Sequence, residues 1–379
     1  MTLGFELVEL TEGERALQQE VRAFLAEELP RGTFEPGLGM DAPADRSFSQ
    51  KLGAKGWLGM AMPARYGGAE RGAVDRFLVV EELLRWGAPV YHHWTADRQS
   101  CQVILRFGTE EQKQRFIPAI CAGDLAFCIG LSEPDAGSDL AAVKTRAVKV
   151  DGGWQLNGTK IWTTAAHEAD WFIVLCRTAE AEDRHHGLSQ LLVDLSSPGV
   201  QVNPIPFLDG GHHFSEVVMT DVFVPDELLL GEAGRGWEQT GNELAYERGG
   251  PDRFLSTWTL VEQYLRDHEG TELGERAREL TGWAVARFWG IRQLSIAVNR
   301  MIDRGLAPAA EAALVKDLGT RFEQDVIAAL AELHDGFASL DSQSLFERLL
   351  ARSILAGPSY TIRGGTTEIL VGIISKGLR

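Results

Sequence analysis

Apolar positions recur along this chain with two different periods. In residues 11–29, Leu17, Val21, Phe24, Leu25 and Leu29 fall on one stripe, the pattern of an amphipathic helix. Thr11 and Glu14 stand at the spacing of a capping box at its start. A Pro- and Gly-rich linker, 30–45, leads to a second helix around 46–56, and GWLGMAMPARYGG (56–68) reads as a loop. Helices are expected at about 70–86, 91–107 and 109–121, the last capped by Thr109 with Glu110 and Glu111 in its first turn. Beyond residue 124 the period drops to two. TRAVKV, a turn at Asp151-Gly152-Gly153, WQLNG, KIWTT, DWFIVLCR and finally EVVMTDVFVP alternate as antiparallel strands joined by hairpins do. From Trp237 the helical period returns, broken near 268–273, 304–308 and 356–364. Segments 274–303 and 308–339 are long enough for bundle helices. The expected class is therefore α+β, with a helical domain over 1–123, an antiparallel β domain over 124–233 and a helical bundle over 234–379.

Composition narrows the function without naming it. At 379 residues, 44% hydrophobic and 24% charged, the chain suits several globular cores. A net charge of -17 argues against nucleic acid or an anionic membrane surface as partner. No apolar run approaches the roughly 20 residues of a spanning helix. The acidic N-terminus carries no signal or transit pattern, so the cytoplasm is the expected location. Cys101, Cys121, Cys128 and Cys176 lack CxxC spacing and sit in apolar contexts, which suggests reduced core residues. The pairs His92-His93, His185-His186 and His212-His213 point their rings to different sides, and no metal site is expected.

The stretch 127–178 carries the chemistry. It opens with Ser132-Glu133-Pro134-Asp135-Ala136-Gly137-Ser138-Asp139 and continues through Asn157-Gly158-Thr159-Lys160 and Trp162-Thr163-Thr164. These motifs, in this order, resemble the acyl-CoA dehydrogenase family, and the likeness extends to Gly364-Gly365-Thr366-Thr367-Glu368-Ile369. The resemblance implies a helical N-terminal domain, a middle β domain and a C-terminal four-helix bundle. It also implies FAD as cofactor and α,β-desaturation of an acyl-CoA thioester as activity. On the family pattern Ser132 offers a hydroxyl to the flavin ring, Trp162 covers the ring, and Thr164 meets its N5 region. Ser138 lies near the pyrophosphate and the substrate thioester. Taken singly, the serines read as turn residues and Trp162 as core. No GxGxxG dinucleotide fingerprint is present.

Desaturation also needs a carboxylate to take the Cα proton. Many family members carry it in a Tyr-Glu-Gly-Thr segment, but here the matching position is Gly364, within Ile362-Arg363-Gly364-Gly365-Thr366. Others carry it on the first long helix of the C-terminal domain, where this chain has Leu244-Ala245-Tyr246-Glu247-Arg248. Glu247 is thus the expected base and Arg248 a substrate-site residue beside it. The plainer reading pairs Glu247 with Arg248 or Arg253 on a solvated helix face. Gly364 retains a backbone N–H suited to the thioester oxygen as negative charge builds there.

The run Arg248-Gly249-Gly250-Pro251 suggests either a kink or a widened cavity for a bulky or branched acyl group. The family's Arg-x-x-Phe-Gly and Gln-x-x-Gly-Gly-x-Gly segments, which hold a neighbour's FAD, are missing: RDHEGTELGERARELTG and AALAELHDGFASL stand instead. That departure resembles α-type subunits of α2β2 dehydrogenases acting on steroid side-chain thioesters. The expected partners are an acyl-CoA, an electron-transfer flavoprotein and a β-type subunit, or copies of this chain if a homo-oligomer forms. Two alternatives remain at this point: an oxidase on the same scaffold, and a non-catalytic partner subunit.

Overall fold

The computed structural model describes residues 3–240 and 248–378. They sort into two compact units that interleave along the chain, one comprising 1–42, 72–89 and 247–379, the other 43–71 and 90–246.

The second unit is built on a sheet of eight strands: β1 (Phe127–Gly130), β2 (Arg146–Val150), β3 (Gly153–Thr164), β4 (Trp171–Arg177), β5 (Leu188–Asp194), β6 (Val200–Ile205), β7 (Phe214–Pro225) and β8 (Leu229–Leu230). Their order is β6-β7-β3-β2-β4-β5-β8, with β1 beside β4. Most pairs are antiparallel, as the alternation predicts. Two are not: β1 lies parallel to β4, and β2 touches β4 in parallel at Arg146 and Arg177. β4 and β5 are buried along nearly their whole lengths, which is why they read as continuous apolar runs rather than alternating ones.

Helices of the same unit include α2 (Arg46–Ala54), α4 (Tyr91–Thr95), α5 (Cys101–Phe107) and α6 (Glu110–Cys121). Phe116 and Ile117 of α6 join Phe127, Trp171 and Phe172 in one core, with Phe116 edge-on to Trp171 at 4.8 Å. The single helix expected over 91–107 is interrupted. Ala96–Ser100 forms a π turn closed by Cys101 N–H donating to the Ala96 carbonyl, one residue wider than an α turn. All four cysteines are buried and none is in a disulfide.

In the first unit the regular elements among the described residues are helices, apart from an isolated bridge between Leu38 and Asp41. It holds α1 (Glu12–Glu28), α3 (Ala73–Trp86), α7 (Trp258–Asp267), α8 (Glu275–Asp303), α9 (Ala309–Leu333), α10 (Leu345–Ala356) and α11 (Thr367–Gly377). The predicted Thr11–Glu14 capping box is present on α1. α9 packs against α8, α10 and α11, while α3 packs on both α1 and α8. Charged residues lock these helices together: Arg292 of α8 grips Glu81 of α3, and Arg300 reaches Glu14 of α1 at 2.7 Å. Among the described residues no helix is long and apolar enough to cross a membrane.

Candidate active site

In the sheet unit, the loop after β1 and the end of β3 lie side by side. The Ser132 carbonyl accepts from Ile161 N–H at 3.0 Å, leaving the serine half-buried next to the strand that carries Trp162 and Thr164. Along β3, Trp154, Leu156 and Lys160 are buried, and strict alternation would bury residue 162 as well. It does not, because the register against β7 slips between Lys160 and Thr163. The extra residue reverses the phase: Thr163 is buried, and Trp162 turns outward with 55% of its surface exposed. Trp162 adopts φ +60°, a left-handed conformation that costs a bulky residue about 1–3 kcal/mol. Phe214 stands edge-on to the indole at 6.1 Å. The β3 end is fastened further by Tyr91, whose hydroxyl accepts from Ala165 N–H and donates to the His213 carbonyl. Ser138 is exposed at the far side of the same loop.

Beneath this surface lies a pair that the sequence reading passed over. Lys160 is fully buried, and its ammonium donates to Glu133 Oε1 at 2.9 Å and to the Leu131 carbonyl at 3.0 Å. Glu133 in turn accepts from the backbone N–H of Lys144 and of Thr145 at 2.6 and 2.8 Å. Burial pushes the Glu133 carboxyl up, but the Lys160 charge and the surrounding donors outweigh it and hold it below its ordinary range. The available signal was parity: Lys160 stands at an inward position of β3.

In the helical unit, the segment 360–365 is fixed by three basic residues. Arg363 donates to Glu323 of α9 at 2.9 Å and to the Ser256 hydroxyl at 2.7 Å, and lies over the Tyr360 ring at 4.3 Å. The buried Lys316 donates to the Gly365 carbonyl at 2.8 Å. Arg248 Nε donates to the Gly364 carbonyl at 3.1 Å, so two residues expected in the substrate site are joined. Gly364 has φ +69°, and a Cβ there would stand 3.1 Å from the Arg253 guanidinium. A glutamate at this position would be both strained and crowded. Glu247 lies outside the described residues.

The glycines after Arg248 do not open a cavity at Gly249, contrary to one of the two expectations for that run. A Cβ on Gly249 would meet Val298 at 2.6 Å, and its carbonyl accepts from the Ser295 hydroxyl at 2.6 Å. Glycine there permits close packing on α8. Pro251 begins a short 3-10 turn over Pro251–Arg253, in keeping with the kink reading.

The chain matches the acyl-CoA dehydrogenase N-terminal domain over residues 11–124, the middle domain over 128–222 and the C-terminal domain over 275–379. The chain belongs to the acyl-CoA dehydrogenase family. It is 34% identical over 301 residues to acyl-CoA dehydrogenase FadE29 of Mycobacterium tuberculosis, covering 74% of this chain and 77% of that one. Acyl-CoA dehydrogenase FadE34 of the same organism is 30% identical over 99% of this chain, which spans only 50% of FadE34's length. Among solved structures, the Tcur3481-Tcur3483 steroid ACAD superposes with a TM-score of 0.84 at 26% identity, covering 100% of this chain and 99% of that one. As a member of the family, the chain has the acyl-CoA dehydrogenase fold and is an oxidoreductase of an FAD-dependent class. The residues present fit a flavin ring: an exposed indole held out by a strained bulge, with the Ser132 and Thr164 hydroxyls on the two segments that flank it. The buried Thr163 hydroxyl next to it has no hydrogen-bond partner among the described residues.

Proposed function

We propose that this chain is the base-bearing subunit of an acyl-CoA dehydrogenase that desaturates a bulky or branched acyl-CoA, such as a steroid side-chain thioester. The observation that carries the flavin-site reading is Trp162, held outward at a conformational cost that core packing does not require; the bulky acyl group rests on the likeness to the Tcur3481-Tcur3483 steroid ACAD. In this reading the middle domain, 124–233, contacts the flavin through Ser132, Ser138, Trp162 and Thr164. The C-terminal domain, 234–379, carries Glu247 as base. Ser132, Ser138, Trp162 and Thr164 would hold the flavin of FAD, which would supply the acceptor for the hydride from Cβ. Glu247 takes the Cα proton, and the Gly364 N–H donates to the thioester oxygen as it gains charge. Arg248, tied to the Gly364 carbonyl, keeps that loop in place. Electrons pass on to an electron-transfer flavoprotein, and the cytoplasm is the working compartment.

We further propose a β-type partner. Two arginines that offer themselves for a neighbour's diphosphate already hold carboxylates of this chain: Arg266 pairs with Glu262 and Arg276 with Glu332. The similar steroid dehydrogenase is itself named for two chains. The test is the flavin-to-protein ratio, with mass from light scattering, for the chain alone and co-expressed with a candidate partner. Substoichiometric FAD alone, and about one flavin per two chains in the complex, is the expected result. A homotetramer with one tightly held FAD per chain, bleached by acyl-CoA, refutes the partner.

A further inference from the structure

We infer that the buried pair Lys160–Glu133 is a positioning device for the flavin ring site, setting the spacing between Ser132 and Trp162. The inference rests on the assignment of Ser132, Trp162 and Thr164 to the ring. Three bonds join the loop to the strand within a few residues: Ile161 N–H to the Ser132 carbonyl, and Lys160 Nζ to the Leu131 carbonyl and to Glu133. Two of the three come from the Lys160 ammonium. The Glu133 carboxylate adds the segment leading into β2 through the N–H groups of Lys144 and Thr145, so one side chain ties together the loop, the approach to β2 and β3.

The placement relative to the bulge gives the pair more than a packing role. Lys160 is the last β3 residue in register with β7 before the slip, and Trp162 is left between it and Thr163. A bulged residue at φ +60° persists only if its flanks are fixed. On one flank that fixing is done by Tyr91 through Ala165. On the other it is done by Lys160. A simple apolar residue at position 160 would fill the core of the sheet at less desolvation cost. It would not bind the Leu131 carbonyl or hold the Glu133 carboxylate, so the loop bearing Ser132 would be free to shift against the strand.

The test compares Lys160→Met, Glu133→Gln, the double variant and Trp162→Ala in the full chain, with its partner where one is needed to hold FAD. Three quantities are measured: the melting midpoint without added FAD, the FAD dissociation constant and the visible absorption bands of the bound flavin. Lys160→Met alone leaves a buried carboxylate uncompensated and lowers the melting midpoint. The double variant removes both charges and recovers most of that loss. Its FAD affinity nevertheless stays weaker by roughly tenfold or more, the size of a lost charge-assisted contact, and its flavin bands are displaced. A double variant with native stability, native affinity and native bands overturns the inference. So does affinity that merely tracks stability across the series. Trp162→Ala separates the two levels of the argument. If it weakens FAD while the double variant does not, only the role of the pair is lost. If Trp162→Ala leaves affinity and bands untouched, the ring assignment itself fails.

Discussion

The sheet unit and the helical unit bury charge in different ways. In the sheet unit, the Lys160–Glu133 pair joins residues only 27 positions apart, and the loop, bulge and tryptophan it serves all lie within 131–164. In the helical unit, the segment 360–365 is held from 248, 256, 316 and 323, positions tens of residues away in sequence. Sheet geometry lets one hairpin and one loop bring a site together locally. A helix bundle brings residues together only where separate helices cross, so each contact depends on the packing of the whole. One loop and one hairpin can thus be joined within a short contiguous stretch, whereas the 360–365 segment is held in place only by residues brought in from distant parts of the chain.

The largest effect expected along this divide is chemical. Glu247→Gln leaves FAD affinity near native but slows anaerobic flavin bleaching by acyl-CoA by about 10²–10⁴-fold or more, the scale of a lost general base. Near-normal bleaching in that variant removes Glu247 from the mechanism. Restoring a glutamate at Gly364 is not expected to rescue it, because φ +69° and the Arg253 guanidinium oppose a side chain there.

Next comes the network under the 360–365 segment. Arg363→Met strands the fully buried Glu323 carboxylate and is expected to cost about 3–5 kcal/mol in denaturant unfolding. Pairing it with Glu323→Gln should return much of that loss. If the single variant unfolds like the parent, the buried pair is not what fixes the segment.

A smaller and opposite effect is expected in the sheet unit. Trp162→Gly relieves the left-handed strain, so the flavin-free protein should gain about 1 kcal/mol while FAD binding weakens. Loss of stability in that variant would mean that the indole contributes more to packing than its exposure indicates.

The smallest effect is a pH dependence confined to the sheet unit. Burial, reinforced by Arg46 near His92 and by His212 near His167, pulls both imidazoles below their ordinary value of 6.5. Folding therefore keeps them neutral while the unfolded chain takes up protons below 6.5. Their contribution is complete above pH 6.5 and declines as pH falls through it. Melting curves of His92→Gln and His167→Gln between pH 7.5 and about 5 should be flatter with pH than those of the parent.

Much of this protein was legible without coordinates. Periods of 3.6 and 2 separate helix from strand because side chains repeat with those periods, and the capping box on α1 is a local exchange of two hydrogen bonds. The loop 132–139 and the run 157–164 resemble the acyl-CoA dehydrogenase family in sequence because those motifs lie within one stretch of chain. Other features depended on distant contacts. The π turn at 96–100 departs from a pattern that reads as one helix. The outward turn of Trp162 follows from a register slip against β7, a partner more than fifty residues away. Gly249 looked like a space-maker until Val298 of α8 was seen against it. The buried Lys160 reads in sequence as a polar strand residue, and only its partner Glu133, arriving from the loop, makes its burial tolerable. Sequence settles what is decided within a turn or a strand. Pairing of buried charge, strand register and helix contact are decided by segments that meet only when the chain is folded, and there the tertiary structure alone gives the answer.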